Sequence, residues 1–189
     1  VDCGAPAEKA RAARRLNMPH SALLGMTTAG TTRGAQQLAR QFRRQGTGVL
    51  ALHKPREPWP VDCISWQTDN PDLFLRMFWA ARGCACFMEL ADAGVEAADT
   101  RFHKCFTQGR HEGHRCYFLS QRAAQVHPNI RENCTSLYLF AVATKAAKLW
   151  AEEFNDTALL GASALNPRDH LCYHIAERGL PARLIKITA

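Results

Sequence analysis

This 189-residue sequence predicts an α/β fold: a three-layer sandwich with a mainly parallel, twisted sheet and helices on both faces. Two observations carry that expectation. Short apolar runs of strand length, such as residues 49–52 and 84–88, alternate with stretches of helical period. A glycine loop, residues 25–32, follows the apolar run Ala22-Leu23-Leu24 and opens the first long helical stretch. Ligands of parallel sheets bind beyond the carboxyl ends of strands, where such a loop sits.

Taken in order, residues 1–17 form a polar, Ala- and Arg-rich lead-in, helical at best. A short strand is expected over 18–24. From 34 to 44, Ala35, Leu38, Ala39 and Phe42 recur at helical spacing, with Arg40, Arg43 and Arg44 opposite. Gly46 and Gly48 stop that helix. Residues 49–52 read as strand, the proline-rich stretch 54–60 as loop, and 62–67 as another short strand. Asp69-Asn70-Pro71 starts a helix whose buried face is Leu73, Phe74, Met77, Phe78 and Ala81, ended by Gly83. The wholly apolar run 84–88 reads as a strand covered on both faces. Part of 91–108 is helical, 114–120 is strand, 128–132 a short helix or turn, 134–142 strand, and 143–154 helix. The tail from Asn155 reads as irregular, with one short helix at 171–177. The predicted organisation is a lead-in (1–17), one nucleotide-loop domain (18–154) and an extension packed on or beside it (155–189).

Composition narrows the classes. Hydrophobic residues make up 47% and charged residues 22%, ordinary for a folded domain. No apolar run reaches the roughly 18 residues of a membrane span, and the N-terminal residues lack the apolar core of a secretion signal. The expected location is the cytosol, or a particle packaged from it. A net charge of +7 and a pI near 9.2 favour a polyanionic partner, nucleic acid foremost. The 8 cysteines lack the spacing of zinc knuckles and lie mostly in apolar runs, which predicts reduced, buried thiols.

Three segments carry candidate chemistry. Gly25-Met26-Thr27-Thr28-Ala29-Gly30-Thr31-Thr32 matches the phosphate loop G-x-x-x-x-G-K-[ST], except that Thr31 stands at the lysine. Its glycines free the backbone to wrap phosphate oxygens, and the helix behind supplies oriented N–H donors. Thr32 is at the magnesium-holding hydroxyl. Arg33 is the nearest cation, but one helical step turns it about 100° away from the lysine position. Read alone, the segment is a phosphate loop or a flexible Gly/Thr loop. Second, Phe87-Met88-Glu89-Leu90-Ala91-Asp92 is an apolar strand ending in an acid, where a Walker B segment belongs. In one register Met88 replaces the metal-holding Asp and Glu89 is the base. In the other Glu89 replaces that Asp and Leu90 the base. Third, Gly109-Arg110-His111-Glu112-Gly113 runs into a strand ending Ser120-Gln121-Arg122, with Asn129, Arg131 and Asn133 before the next strand.

On these segments, from about residue 21 to 140, the chain resembles the FtsK/HerA group of DNA-pumping P-loop ATPases, most closely the genome-packaging ATPases of viruses and phages. That resemblance implies a RecA-like P-loop NTPase fold that binds ATP and Mg2+ through residues 25–33. Glu89 would be the Walker B acid, Gln121 the polar sensor of the γ-phosphate, and Arg110 an arginine finger offered to a neighbouring subunit. Thr32 and Glu89 would hold the magnesium. It further implies a homo-oligomeric ring acting on DNA, in the host cytoplasm or on the virion, beside other capsid or virion proteins. Two functions follow: a DNA-translocating packaging motor with a lysine-less loop, or a degenerate subunit of the same fold that binds nucleotide weakly and serves as a structural or DNA-binding part. A Lys-to-Thr exchange engineered into an active motor would leave the same residues.

Overall fold

The computed structural model describes residues 20–123 and 126–187. The lead-in assigned to 1–17, and the start of the first strand at 18–19, lie outside these residues. Strand β1 (His20–Leu24) leads through the glycine loop into helix α1 (Thr31–Arg44). Strands β2 (Val49–Leu52) and β3 (Trp66–Thr68) follow, then α2 (Pro71–Ala80) and β4 (Ala85–Met88). Helix α3 (Thr100–Gln108) runs into a 3-10 turn (Gly109–Glu112) and then β5 (Arg115–Ser120). Helix α4 (Pro128–Asn133) abuts β6 (Cys134–Leu139), followed by α5 (Thr144–Phe154). Two further 3-10 turns (Thr157–Ala164 and Pro167–Asp169) precede β7 (Leu171–Ile175) and β8 (Arg183–Lys186).

All eight strands form one sheet in the order β3-β2-β4-β5-β1-β6-β7-β8. The six strands from β3 to β6 are parallel, and β7 and β8 continue the sheet antiparallel. β1, β2 and β4 are buried at every position, as strands covered on both faces must be. Their side chains alternate between two cores. Leu23, Ala51, Phe87 and Leu119 face Ala35 and Ala39 of α1, together with Trp59 and Cys63. Leu24, Leu52, Met88 and Phe118 face the larger core, built on Phe74 and Phe78 of α2, Phe102 and Phe106 of α3 and Trp150 of α5. The predicted three-layer sandwich is therefore present, with unequal outer layers: α1 and the 54–65 connection on one side, α2 to α5 on the other.

The local signals act as read. The Asn70 side chain accepts from the Leu73 N–H at 3.0 Å and Pro71 occupies the first turn, so α2 starts capped. Seven described cysteines are free thiols, and all but Cys84 are buried. Among the described residues no helix is long and apolar enough to cross a membrane.

Three expectations are corrected. The strand expected over 62–67 starts only at Trp66, because residues 61–63 form a turn in which Val61 and Asp62 are exposed, Asp62 pairing with Arg40 at 2.6 Å, and Cys63 enters the core. Leu73 is exposed; Leu75 takes its place in the buried face of α2. The short helix expected at 171–177 is β7, whose Ile175 and Tyr173 pair with Leu137 and Leu139. The tail is thus part of the sheet, not irregular.

Candidate functional site

The glycine loop is pinned at its entry between two strand ends. Gly25 N–H donates to the Ser120 carbonyl at the end of β5 at 3.2 Å, and Met26 N–H to the Ala141 carbonyl beyond β6 at 2.9 Å. Ala29 N–H closes a turn onto Met26 O, and both Thr28 (φ 71°) and Gly30 (φ 96°) are left-handed. A Cβ on Gly25 would stand 2.7 Å from Phe140 Cβ, so no other residue fits there without moving backbone. Helix α1 carries no side-chain cap and no acid in its first turn, which leaves its first N–H groups facing the loop. Ala29 is buried against Phe140, while Met26, Thr27 and Thr28 are exposed at the rim.

Thr31 and Thr32 diverge. The Thr31 hydroxyl is buried without a hydrogen bond and lies 2.8 Å from where a Gly25 Cβ would be. Being uncharged, it cannot neutralise a phosphate as the lysine of the motif would. Thr32 Oγ1 donates to Glu89 Oε1 at 3.3 Å. Glu89 follows β4, its N–H bonded to Leu52 O at 3.0 Å, and is 3% exposed. Burial raises its pKa, with Asp92 adding to the effect; Lys54 and the Thr32 hydrogen bond oppose it. Met88 and Leu90 on either side belong to the larger apolar core.

Gln121, just past β5, accepts from Thr27 Oγ1 at 2.8 Å through Oε1. The loop, Glu89 and Gln121 therefore meet, and they line one cavity of about 240 Å³ at the carboxyl end of the parallel strands. Arg33 reaches its lip from α1 as an exposed side chain. Arg110 is not part of it. It is exposed in the 3-10 turn before β5, at the end opposite Gln121, and β5 alone spans about 17 Å.

Three wall residues were given no role by sequence reasoning. Lys54 lies two residues past β2; Asp92 was read only as part of a stretch; His170 comes from the tail. His170 also covers the loop: a Cβ on Gly30 would stand 2.8 Å from its Nδ1, an atom buried without a partner. Only Lys54 and Asp92 leave a hint in the sequence, as polar residues just beyond strand-length apolar runs. Among the described residues no cluster of three or more His, Cys, Asp or Glu could hold a metal ion by itself.

No protein-family model matches the chain, and no curated protein matches it. Solved structures do. The genome-packaging NTPase B204 from Sulfolobus turreted icosahedral virus 2, in complex with ATP-gammaS, superposes with a TM-score of 0.70 at 9% identity, over 89% of this chain and 97% of that one. Its complex with AMP gives 0.67 at 11% identity, over 90% and 98%. B204, the DNA-packaging ATPase from Sulfolobus turreted icosahedral virus, gives 0.69 at 10% identity, over 89% and 97%. At such identities the likeness establishes the fold alone: a three-layer α/β sandwich with a mainly parallel sheet, shared with B204 over about nine-tenths of this chain.

Proposed function

We propose that this chain is the subunit of a genome-packaging ATPase of viral or phage type, which binds ATP with magnesium at the glycine loop and moves DNA as a homo-oligomeric ring. The observation that carries this reading is the single cavity where the loop, Glu89 and Gln121 converge beyond the carboxyl ends of β1, β4 and β5. The fold it shares with B204, whose structures contain ATP-gammaS or AMP, supports it, as does the net charge of +7.

The residues fit magnesium. Thr32 Oγ1 and Glu89 Oε1 are hard oxygen donors 3.3 Å apart, the small carboxylate-plus-hydroxyl set that magnesium uses together with substrate phosphates. When bound, the ion would neutralise charge developing on the terminal phosphates. On this reading Glu89 belongs to the metal side, the second of the two registers, a choice supported by its hydrogen bond from Thr32. Leu90 then stands at the base position, and Asp92 is the remaining carboxylate on the cavity wall able to orient water. Gln121, fixed by Thr27, would sense the γ-phosphate. Open N–H groups of the first turn of α1 would take the phosphate oxygens. Arg110, a strand's length from its own loop, would serve the site of the next subunit in the ring. DNA would be gripped through its phosphates, without reading of sequence. Host cytoplasm or virion, with other capsid proteins nearby, is the setting that follows.

A second reading is favoured by Thr31 and Leu90 together: a nucleotide-weak structural or DNA-binding subunit of the same fold. Titration calorimetry with ATP and magnesium, then steady-state hydrolysis with and without DNA, separates them. The motor reading expects binding below millimolar ATP and DNA-stimulated turnover. No binding at millimolar ATP sinks it. Thr31→Lys should raise turnover in a motor and leave a degenerate subunit inactive.

A further inference from the structure

We propose that Lys54 supplies the positive charge that the glycine loop lacks, holding the terminal phosphates of a nucleoside triphosphate from the β2 side of the cavity. This rests on the reading of the cavity as an ATP site. The need is electrostatic. Glu89 and Asp92 already place two carboxyl groups in the wall, and a triphosphate would add several more negative charges to a partly dehydrated space. Lys54 and Arg33 are the two Lys or Arg side chains among its described lining residues. Arg33 stands one helical step around from Thr32, exposed on α1. Lys54 stands on the side of Glu89, the acid bonded to Thr32, which is the end where β- and γ-phosphates belong.

Its backbone is held in place. The Lys54 carbonyl contacts His53 Nδ1 at 2.6 Å and accepts the Glu57 N–H at 3.1 Å, while His53 N–H is tied to Thr68 O at 3.0 Å. Its ammonium, in contrast, has no close partner. Glu57 and Asp92 carboxylates lie 3.7 and 3.9 Å away, and they are 70% and 33% exposed. Ion pairs elsewhere in the chain close to 2.6–2.9 Å, as at Arg40–Asp62, Arg82–Glu112 and Arg178–Glu153. A lysine 22% exposed, on a fixed backbone, with only loose carboxylate neighbours, can turn to a phosphate at little cost.

The test is calorimetric titration of ATP with magnesium, and separately of AMP, into the wild-type chain, Lys54→Met and Lys54→Arg, each first checked by thermal melting. The same Lys54→Met change is then made in a Thr31→Lys background. A lost charge-assisted phosphate contact should weaken ATP binding roughly 10- to 100-fold in Lys54→Met and leave AMP within about twofold. Lys54→Arg should recover part of the loss, and in the Thr31→Lys background the loss should shrink to about threefold or less. Unchanged ATP affinity in Lys54→Met, an equal loss for AMP, or an equal loss in the Thr31→Lys background overturns the proposal while leaving the ATP site intact. If the wild-type chain binds neither nucleotide, the site reading itself falls and Lys54 with it.

Discussion

At the amino end of the sheet, His114 is fully buried and uses both ring nitrogens. Nδ1 accepts from Cys84 N–H at 3.1 Å, Nε2 meets Phe78 O at 2.9 Å, and the ring lies 4.5 Å from that of Phe78. His20 beside it accepts from Cys116 N–H at 3.0 Å and meets Phe106 edge-on. At the carboxyl end, Thr31 Oγ1 and His170 Nδ1 are buried without partners, two of the loop's residues are left-handed, and Lys54 holds its carboxylates loosely. His114, bonded through both ring nitrogens, is thus structural at one end, while His170 is uncommitted at the other; His20, bonded through Nδ1 with Nε2 unpartnered, stands between them. A fold stabilised at one edge can leave polar groups at the opposite edge available for a ligand.

The largest effect that would sharpen this contrast is kinetic. On the proposed motor reading, Arg110→Ala should lower turnover of the assembled ring about 1,000-fold, as loss of a finger does, and leave ATP affinity of an isolated subunit unchanged. Unaltered turnover would make Arg110 an ordinary surface residue. Next, His114→Ala should destabilise the fold by roughly 4 kcal/mol, through a cavity plus two orphaned backbone groups, without moving nucleotide affinity. A denaturant titration giving less than about 1 kcal/mol would break the assignment of that end to stability.

The third effect is in pH. Burial first, then the charges of Arg110 and His114, lower the His20 pKa from 6.5 to about 4. The unfolded chain takes up this proton below about pH 6.5 and the folded chain only near 4. His20 therefore contributes its full stability above 6.5 and loses it progressively down to 4. The loss is about 3 kcal/mol at most for a shift of this size. Denaturation at pH 7 and 4.5 should differ accordingly, and less so in His20→Gln.

Much of this was legible in the sequence where one segment carries its own cause. Asn70-Pro71 caps a helix by local geometry, and the runs at 49–52 and 84–88 are apolar because both faces are covered. Residues 171–177 misled because Leu171, Cys172 and Ile175 sit at helical spacing, although the buried ones face opposite sides of β7. The loop, Glu89 and Gln121 were found as separate motifs. Which acid faces Thr32 was not decidable from them, because that depends on contact between residues 57 positions apart. Lys54 left only the hint of a polar residue just past an apolar run, and His170 was beyond reach: its place arises where strand ends and tail converge, and nothing adjacent in sequence marks it.

The place of β1 has a consequence for how the molecule comes to exist. Ser21 pairs with Tyr117 on one side and Ser136 on the other, and β1 has no other neighbours in the sheet. During synthesis β1 therefore emerges before both of its sheet partners, β5 and β6, while β2, β3 and β4 can associate earlier. Insertion of β1 closes the sheet through its longest-range contacts, the slow and entropically costly kind. The glycine loop, carried on its end, takes shape only at that step, and His170 settles over it later still. On the proposed reading, nucleotide binding should therefore be among the last properties a nascent or refolding chain acquires.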